Sequence, residues 1–204
     1  MPHLDELSKI KNLEKEPLHY VFDNNLVNTA GLMLEFGVFS GSTINFMAKK
    51  TTNTIYGFDS FEGLPESWGR TDMIFNKGAF NLKGKLPKVH QNVKLIKGWF
   101  NETLPKFLEE HTGPITFLHI DCDLYSSTKT IFDLVKGRLA PGCVIVFDEL
   151  LNYPGWEIHE WKAWWEMVDE TGIKYEWIGM NGVPIVDIKK DNGAWDQKVA
   201  VRII

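Results

Sequence analysis

Five short apolar runs, at residues 32–36, 54–59, 93–97, 115–121 and 143–148, recur along the chain with helix-compatible stretches between four of them. A run that is apolar throughout, without alternation, is buried on both faces, as a strand is in a parallel sheet covered by helices. Parallel neighbours need a crossover, which is right-handed by default, so the order of elements predicts an α/β fold of βαβ units.

The punctuation between the runs supports this reading. Residues 42–50 read as a helix with Ser42 near its cap, and Asn101 caps NETLPKFLEE, where Pro105 is tolerated in the first turn. Residues 127–139 place Ile131, Leu134, Val135 and Leu139 at helical spacing and stop at Pro141-Gly142. Residues 156–171 carry Trp161, Trp164, Trp165 and Val168, best explained as core packing, before Gly172. Two β-rich runs at 174–179 and 198–204, separated by the turn signal Asp191-Asn192-Gly193, predict a terminal antiparallel pair. Residues 1–30 form an N-terminal helical segment. The connection at 61–92 is too long for an ordinary crossover and is a candidate lid. At 204 residues, a single domain spanning 1–204 is expected.

The 22 basic and 27 acidic residues are spread without a basic block, which argues against nucleic acid as a partner. No uninterrupted apolar stretch has signal or membrane length, so a cytoplasmic protein with no membrane partner is expected. Cys122 and Cys143 fall at opposite edges of the predicted sheet, so a disulfide is not expected.

The segment LMLEFGVFSGSTINF runs strand, turn, helix, the context of a nucleotide-type cofactor turn. Gly37 and Gly41 punctuate it, but Phe39 stands where a dinucleotide fingerprint needs a glycine for backbone to approach a pyrophosphate. The turn, with Glu35, Gly37, Phe39, Ser40 and Gly41, suits a cofactor without phosphates, whose ammonium a carboxylate such as Glu35 could hold. S-adenosylmethionine (SAM) is such a cofactor. Asp59, followed by Ser60, ends the second run roughly 20 residues after Gly37, the offset at which an acid meets ribose hydroxyls; an Asx turn is its structural alternative. Gly98-Trp99-Phe100 follows the third run at the same edge, where Trp99 or Phe100 could face an adenine ring or simply cover the next helix.

The fourth and fifth runs end in His119-Ile120-Asp121-Cys122-Asp123 and Val146-Phe147-Asp148-Glu149. If these strands are adjacent and parallel, Asp121, Asp148 and Glu149 emerge at one carboxyl edge, and clustered carboxylates call for a cation. Oxygen ligands select a hard ion, Mg²⁺ first, with Ca²⁺ or Mn²⁺ as alternatives. Methyl transfer to a hydroxyl needs a stabilised alkoxide and a proton acceptor. Asp123 is the candidate base, with a helix N-cap as its alternative. His119 reads as a core histidine, and His159-Glu160 lacks the second histidine of a zinc motif.

The blocks EFGVFSGST, FDSFEGLPE, GWFNETLP, DCDLYSST and PGCVIVFDE, in this order, resemble the macrocin and mycinamicin type of class I methyltransferases, which methylate sugar hydroxyls of antibiotics. The resemblance covers roughly residues 32–153. It implies a Rossmann-like fold with a seven-stranded, mostly parallel sheet, SAM lying across the first and fourth strands, and a divalent metal held by Asp121, Asp148 and Glu149. It also implies Asp123 as base, with Asp121 at the catalytic centre and as a neighbour of the cofactor. Glu149 departs from the aspartate common there, and the N-terminal region is shorter than in sugar-modifying members. The expected partner is a small hydroxylated acceptor, with a homo-oligomer as a further expectation. A nicotinamide-dependent oxidoreductase, disfavoured by Phe39, a non-catalytic cofactor or metal module, and an N-methyltransferase are the competing readings.

Overall fold

A computed structural model describes residues 3–70, 73–182 and 197–204. The turn expected at 191–193 lies outside them. The main strands are β1 (Leu32–Phe36), β2 (Ile55–Asp59), β5 (Val93–Lys97), β6 (Ile115–Ile120), β7 (Leu139–Leu151), β8 (Tyr175–Met180) and β9 (Gln197–Ile203); β3 (Trp68–Gly69) and β4 (Ile74–Phe75) make a separate small hairpin. The helices are α1 (Pro17–Asp23), α2 (Ser42–Ala48), α3 (Phe100–Glu110), α4 (Tyr125–Val135) and α5 (Glu160–Thr171). The seven strands lie in the order β5-β2-β1-β6-β7-β9-β8. All pairs are parallel except those made by β9, which runs antiparallel to both β7 and β8. This is the expected Rossmann-like fold with its antiparallel C-terminal pair.

The chain builds outward from β1 in one direction through β2 and β5, and in the other through β6 and β7. A parallel sheet opens a crevice at the carboxyl ends of its strands where the order reverses, here between β1 and β6. Successive strand residues serve opposite faces: Leu34, Phe36, Ile145 and Phe147 pack with Leu104, Ile131 and Trp164 of α3, α4 and α5. Met33, Val144 and Val146 pack with Leu18, Ile44 and Met47 of α1 and α2.

Local boundaries shift where tertiary packing outweighs local signals. Strand β7 starts at Leu139, so Pro141-Gly142 sits inside it and not at a helix end. The irregular register between Ile115 and Phe117 opposite this stretch accommodates a proline that cannot donate to the ladder. Helix α4 ends at Val135 and passes through a 3₁₀ turn, Lys136–Arg138. Trp99, not Asn101, is the N-cap of α3, and Gly41, not Ser42, that of α2. The predicted helix at 156–171 divides into a 3₁₀ turn, Trp156–Ile158, and α5. Trp161, Trp164 and Trp165 are buried as expected, Trp164 lying 5.8 Å from the ring of Phe147. Cys122 and Cys143 are both free and buried, and burial pushes the Cys143 thiol up to about 12. Among the described residues no helix is long and apolar enough to cross a membrane.

Candidate active site

The turn after β1 is shaped by backbone. Gly37 has φ 92°, and a Cβ there would fall 1.6 Å from the carbonyl oxygen of Asp121, so only glycine lets the β1 turn lie against the loop after β6. The amide of Asp121 donates to the carbonyl of Phe36 at 2.9 Å, and that of Gly37 to Phe58 at 3.0 Å. Phe39 adopts φ 44° and lines the cleft, 43 % exposed. Ser40 is exposed, and Gly41 with φ 84° leads into α2.

Asp59 ties this turn to the next. Its Oδ2 accepts hydrogen bonds from the amides of Val38 and Phe39, both at 2.8 Å, and its Oδ1 accepts one from Phe61 at 2.6 Å. The last is the Asx turn weighed as an alternative, and Asp59 also lines the cleft. Ser60 donates to the Gly63 carbonyl at 3.1 Å, and the Gly98 amide to the Asp59 carbonyl at 3.0 Å. Trp99 and Phe100 line the same cleft as Gly37, Phe39, Asp59 and Ser60.

The carboxylates converge on the other half of the crevice, but in two tiers. Asp121, Asp123 and Glu149 line the cleft; Asp148 and Glu35 do not. Glu35, expected to face the cofactor, is fully buried, and its Oε1 lies 2.9 Å from His119 Nδ1. The other ring nitrogen of His119 lies 3.7 Å from Asp148 Oδ1, and the Lys198 ammonium from β9 donates to the same oxygen. Burial alone would lower the His119 imidazole, but Asp148 and Glu35 outweigh it and bring it up to about 10. Burial would likewise raise Asp148, but His119 and Lys198 hold it well below the usual carboxylate range.

In the cleft tier the balance is reversed. Burial, then repulsion from Asp148, pushes Asp121 well above the carboxylate range, and the same two causes act on Glu149. Among the described residues, the buried Oε2 of Glu149 has no hydrogen-bond partner. Glu160, considered in the sequence only within the rejected zinc motif, is a fully buried acid at the start of α5, similarly raised by burial and then by Asp123. Thr128 Oγ1 donates to Glu160 at 3.5 Å and lies 3.4 Å from Cys122 Sγ, connecting α5 to the Asp121-Cys122-Asp123 loop. Ligand atoms of His119, Asp121 and Asp148 lie within 4.8 Å of one another. This excess of buried negative charge fits a divalent cation. Asp121 and Asp148 offer oxygen ligands to such an ion. Asp123 is 8 % exposed with φ 64°, and the N-cap of α4 is Leu124, which excludes the capping alternative for Asp123.

Residues of the 61–92 connection roof the crevice. Trp68 stacks on Phe75 at 5.2 Å, Phe75 lies 5.4 Å from Phe80, and Phe80 meets Phe39 at 5.8 Å. The cleft holds about 650 Å³. Arg70, Phe75, Lys77 and Phe80 were not read from the sequence as site residues. They lie in a stretch without periodicity and reach the site only through folding of the hairpin.

Residues 34–150 match the methyltransferase domain family, to which the chain therefore belongs. The chain is 28% identical over 140 residues to the 8-demethyl-8-(2,3-dimethoxy-alpha-L-rhamnosyl)-tetracenomycin-C 4'-O-methyltransferase of Streptomyces olivaceus, across 58% of this chain and 52% of that protein. It thus spans about half the length of this curated relative. Its structure is similar to that of the calicheamicin methyltransferase CalS11, with a TM-score of 0.61 and 20% identity, over 91% of this chain and 76% of that one. It is also similar to the O-methyltransferase NovP, with a TM-score of 0.57 and 21% identity, over 91% and 75%. At these identities the structures speak for the fold.

Proposed function

We propose that the chain is a SAM-dependent O-methyltransferase acting on a hydroxyl of a sugar or glycosylated small molecule, with a hard divalent cation, Mg²⁺ first, at the acid cluster. The observation that carries this reading is that Asp121, Asp123 and Glu149 share one cleft with the glycine turn and Asp59. The tetracenomycin relative, a sugar O-methyltransferase by name, supports the acceptor class.

In this reading SAM supplies an electrophilic methyl group on a sulfonium. Gly37, Phe39, Ser40 and Gly41 form the turn that would hold it, while Asp59, Ser60, Gly98, Trp99 and Phe100 would hold its adenosine. Glu35 acts beneath that turn by fixing His119. When bound, Mg²⁺ supplies positive charge that stabilises an acceptor oxygen as it loses its proton. Asp121, Asp148 and Glu149 would hold it, with Asp121 and Glu149 facing the cleft. Asp123, on the same wall, takes the hydroxyl proton as the C–O bond forms and the S–CH₃ bond breaks. The products are a methyl ether and S-adenosylhomocysteine. The aromatic roof over the cleft serves as the lid that keeps water from the reacting oxygen.

Calorimetry with SAM and S-adenosylhomocysteine, followed by transfer from labelled SAM into a panel of sugars and glycosides, tests this reading. Binding of both and label in a methyl ether are expected. Absence of binding at millimolar concentration would end it, and full activity in EDTA would remove the metal.

A further inference from the structure

One ammonium stands between two carboxylates of different elements. Lys198 lies on β9 beside the end of β7, where Phe147 faces Val199 in the antiparallel register. Its amide donates to Asn181 Oδ1 at 2.8 Å, which fixes the backbone. Its ammonium donates to Asp148 Oδ1 and lies 3.3 Å from Glu16 Oε1. Lys198, Asp148 and Glu16 are all partly buried.

Asp148 is claimed from both sides. It belongs with Asp121 to the group whose ligand atoms lie within 4.8 Å of one another, so a divalent cation held by these two acids comes close to the Lys198 ammonium. Like charges that close repel, and salt screens partly buried groups only weakly. His119, the other cation beside Asp148, cannot withdraw, because it is fully buried and tied through Nδ1 to Glu35 at 2.9 Å. Lys198 can, since an ammonium is a point charge on a flexible stem and Glu16 already lies within ion-pair distance. Glu16 is itself anchored. It is the N-cap of α1, its carbonyl accepts from the Tyr20 amide at 2.8 Å, and Leu18 and Val21 of that helix pack in one cluster with Ala200 of β9. A shift of the ammonium toward Glu16 therefore adds a tie between two elements that already pack together.

We infer that Lys198 is a positioning residue that competes with the divalent cation for Asp148, so that cation binding passes the ammonium from Asp148 to Glu16 and tightens α1 against β9. This rests on the metal reading above and adds to it a residue outside the ligand set. Only ion pairs are exchanged in the step, and no proton is transferred. Lys198 thereby sets the affinity of the acid cluster for the ion, and the start of α1 responds to occupancy of a site on the far side of Asp148.

The test titrates Mg²⁺ by calorimetry into the full chain, Lys198→Met, Glu16→Gln and the double variant, and follows amide hydrogen exchange in α1 with Mg²⁺ or with EDTA. Lys198→Met is expected to bind Mg²⁺ about tenfold tighter, within the range over which partners of metal ligands change affinity. Removal of any nearby positive charge has that sign, so the double variant is the stricter measure. Glu16→Gln should weaken Mg²⁺ binding severalfold in the parent and leave it unchanged in Lys198→Met, whereas independent charges give the same loss in both backgrounds. Mg²⁺ should slow exchange in α1 of the parent and have no effect there in Glu16→Gln. Thermal denaturation checks folding, and the exchange comparison decides by itself if Lys198→Met does not fold. Lys198→Met that binds no tighter, an equal Glu16→Gln loss in both backgrounds, or α1 protection that persists in Glu16→Gln overturns the inference and leaves the metal reading standing. A parent that binds no Mg²⁺ at millimolar concentration overturns both.

Discussion

The imidazole Nδ1 of His119 lies 2.9 Å from Glu35 Oε1 with both side chains fully buried, so the acid of β1 is paired across the sheet with the histidine of the neighbouring β6. The pair continues through Asp148 to Lys198, so acids and bases alternate beneath the acids of the cleft. Replacing His119 by Ala leaves Glu35 and Asp148 short of a partner. Breaking a buried ion pair from one side costs about 3–5 kcal/mol. A loss of that size in urea unfolding is expected; a loss below about 1 kcal/mol would show that the pair carries little charge.

The same shifts set a pH dependence. His119 is raised to about 10 from an ordinary 6.5, so its contribution is complete below pH 6.5 and is lost as pH rises through about 10. Asp121, Glu149 and Glu160 are raised too, so the folded state holds their protons longer than the unfolded one, and stability declines as pH climbs above about 4.5. Asp148 is lowered and acts oppositely, its contribution being present above 3.8 and lost at lower pH. In EDTA the melting temperature should therefore fall from mildly acidic to alkaline pH. Mg²⁺ should restore it increasingly as pH rises, because the ion competes with protons for the same oxygens. A Mg²⁺ effect independent of pH would contradict the site.

Asp123 should control the chemical step. Asp123→Asn is expected to lower kcat by about 10²–10⁴-fold, the usual contribution of a general base, with S-adenosylhomocysteine affinity retained. Steady-state kinetics with calorimetry checks this, and an unchanged kcat would move the base elsewhere.

Asp59 should control the cofactor turn. Asp59→Ala removes acceptors from the amides of Val38, Phe39 and Phe61, each bond to a charged group being worth about 1.5–3 kcal/mol. S-adenosylhomocysteine affinity is expected to fall by tenfold or more, read by calorimetry. Affinity within twofold of the parent would show that the turn holds its shape without Asp59.

Gly37→Ala tests the contact between the two halves of the site. The methyl group would collide with the Asp121 carbonyl, and φ 92° adds strain, so a destabilisation of about 2–4 kcal/mol in denaturant unfolding is expected. Wild-type stability would mean that the loop after β6 moves away readily.

The sequence by itself determined the sheet. Apolar runs such as Leu32–Phe36 and Val93–Lys97 have one stable home, buried between helices, and the turn signals between them allow few topologies. It also determined that Gly37, Asp59, Asp121, Asp123 and Glu149 share one edge, because residues at the carboxyl ends of adjacent parallel strands emerge together. Only the tertiary structure decided where each carboxylate points. Glu35 alternates inward to His119, and Asp148 is claimed by Lys198, a residue distant in sequence that β9 delivers by pairing with β7. Local signals failed for the same reason at Pro141-Gly142, where the pull of the β6 ladder extended a strand through a helix stop. Arg70 and Lys77 remained hidden because a loop residue has no period to betray its direction. Its place in the cleft is fixed by Trp68 and Tyr153, which meet only after the chain has folded.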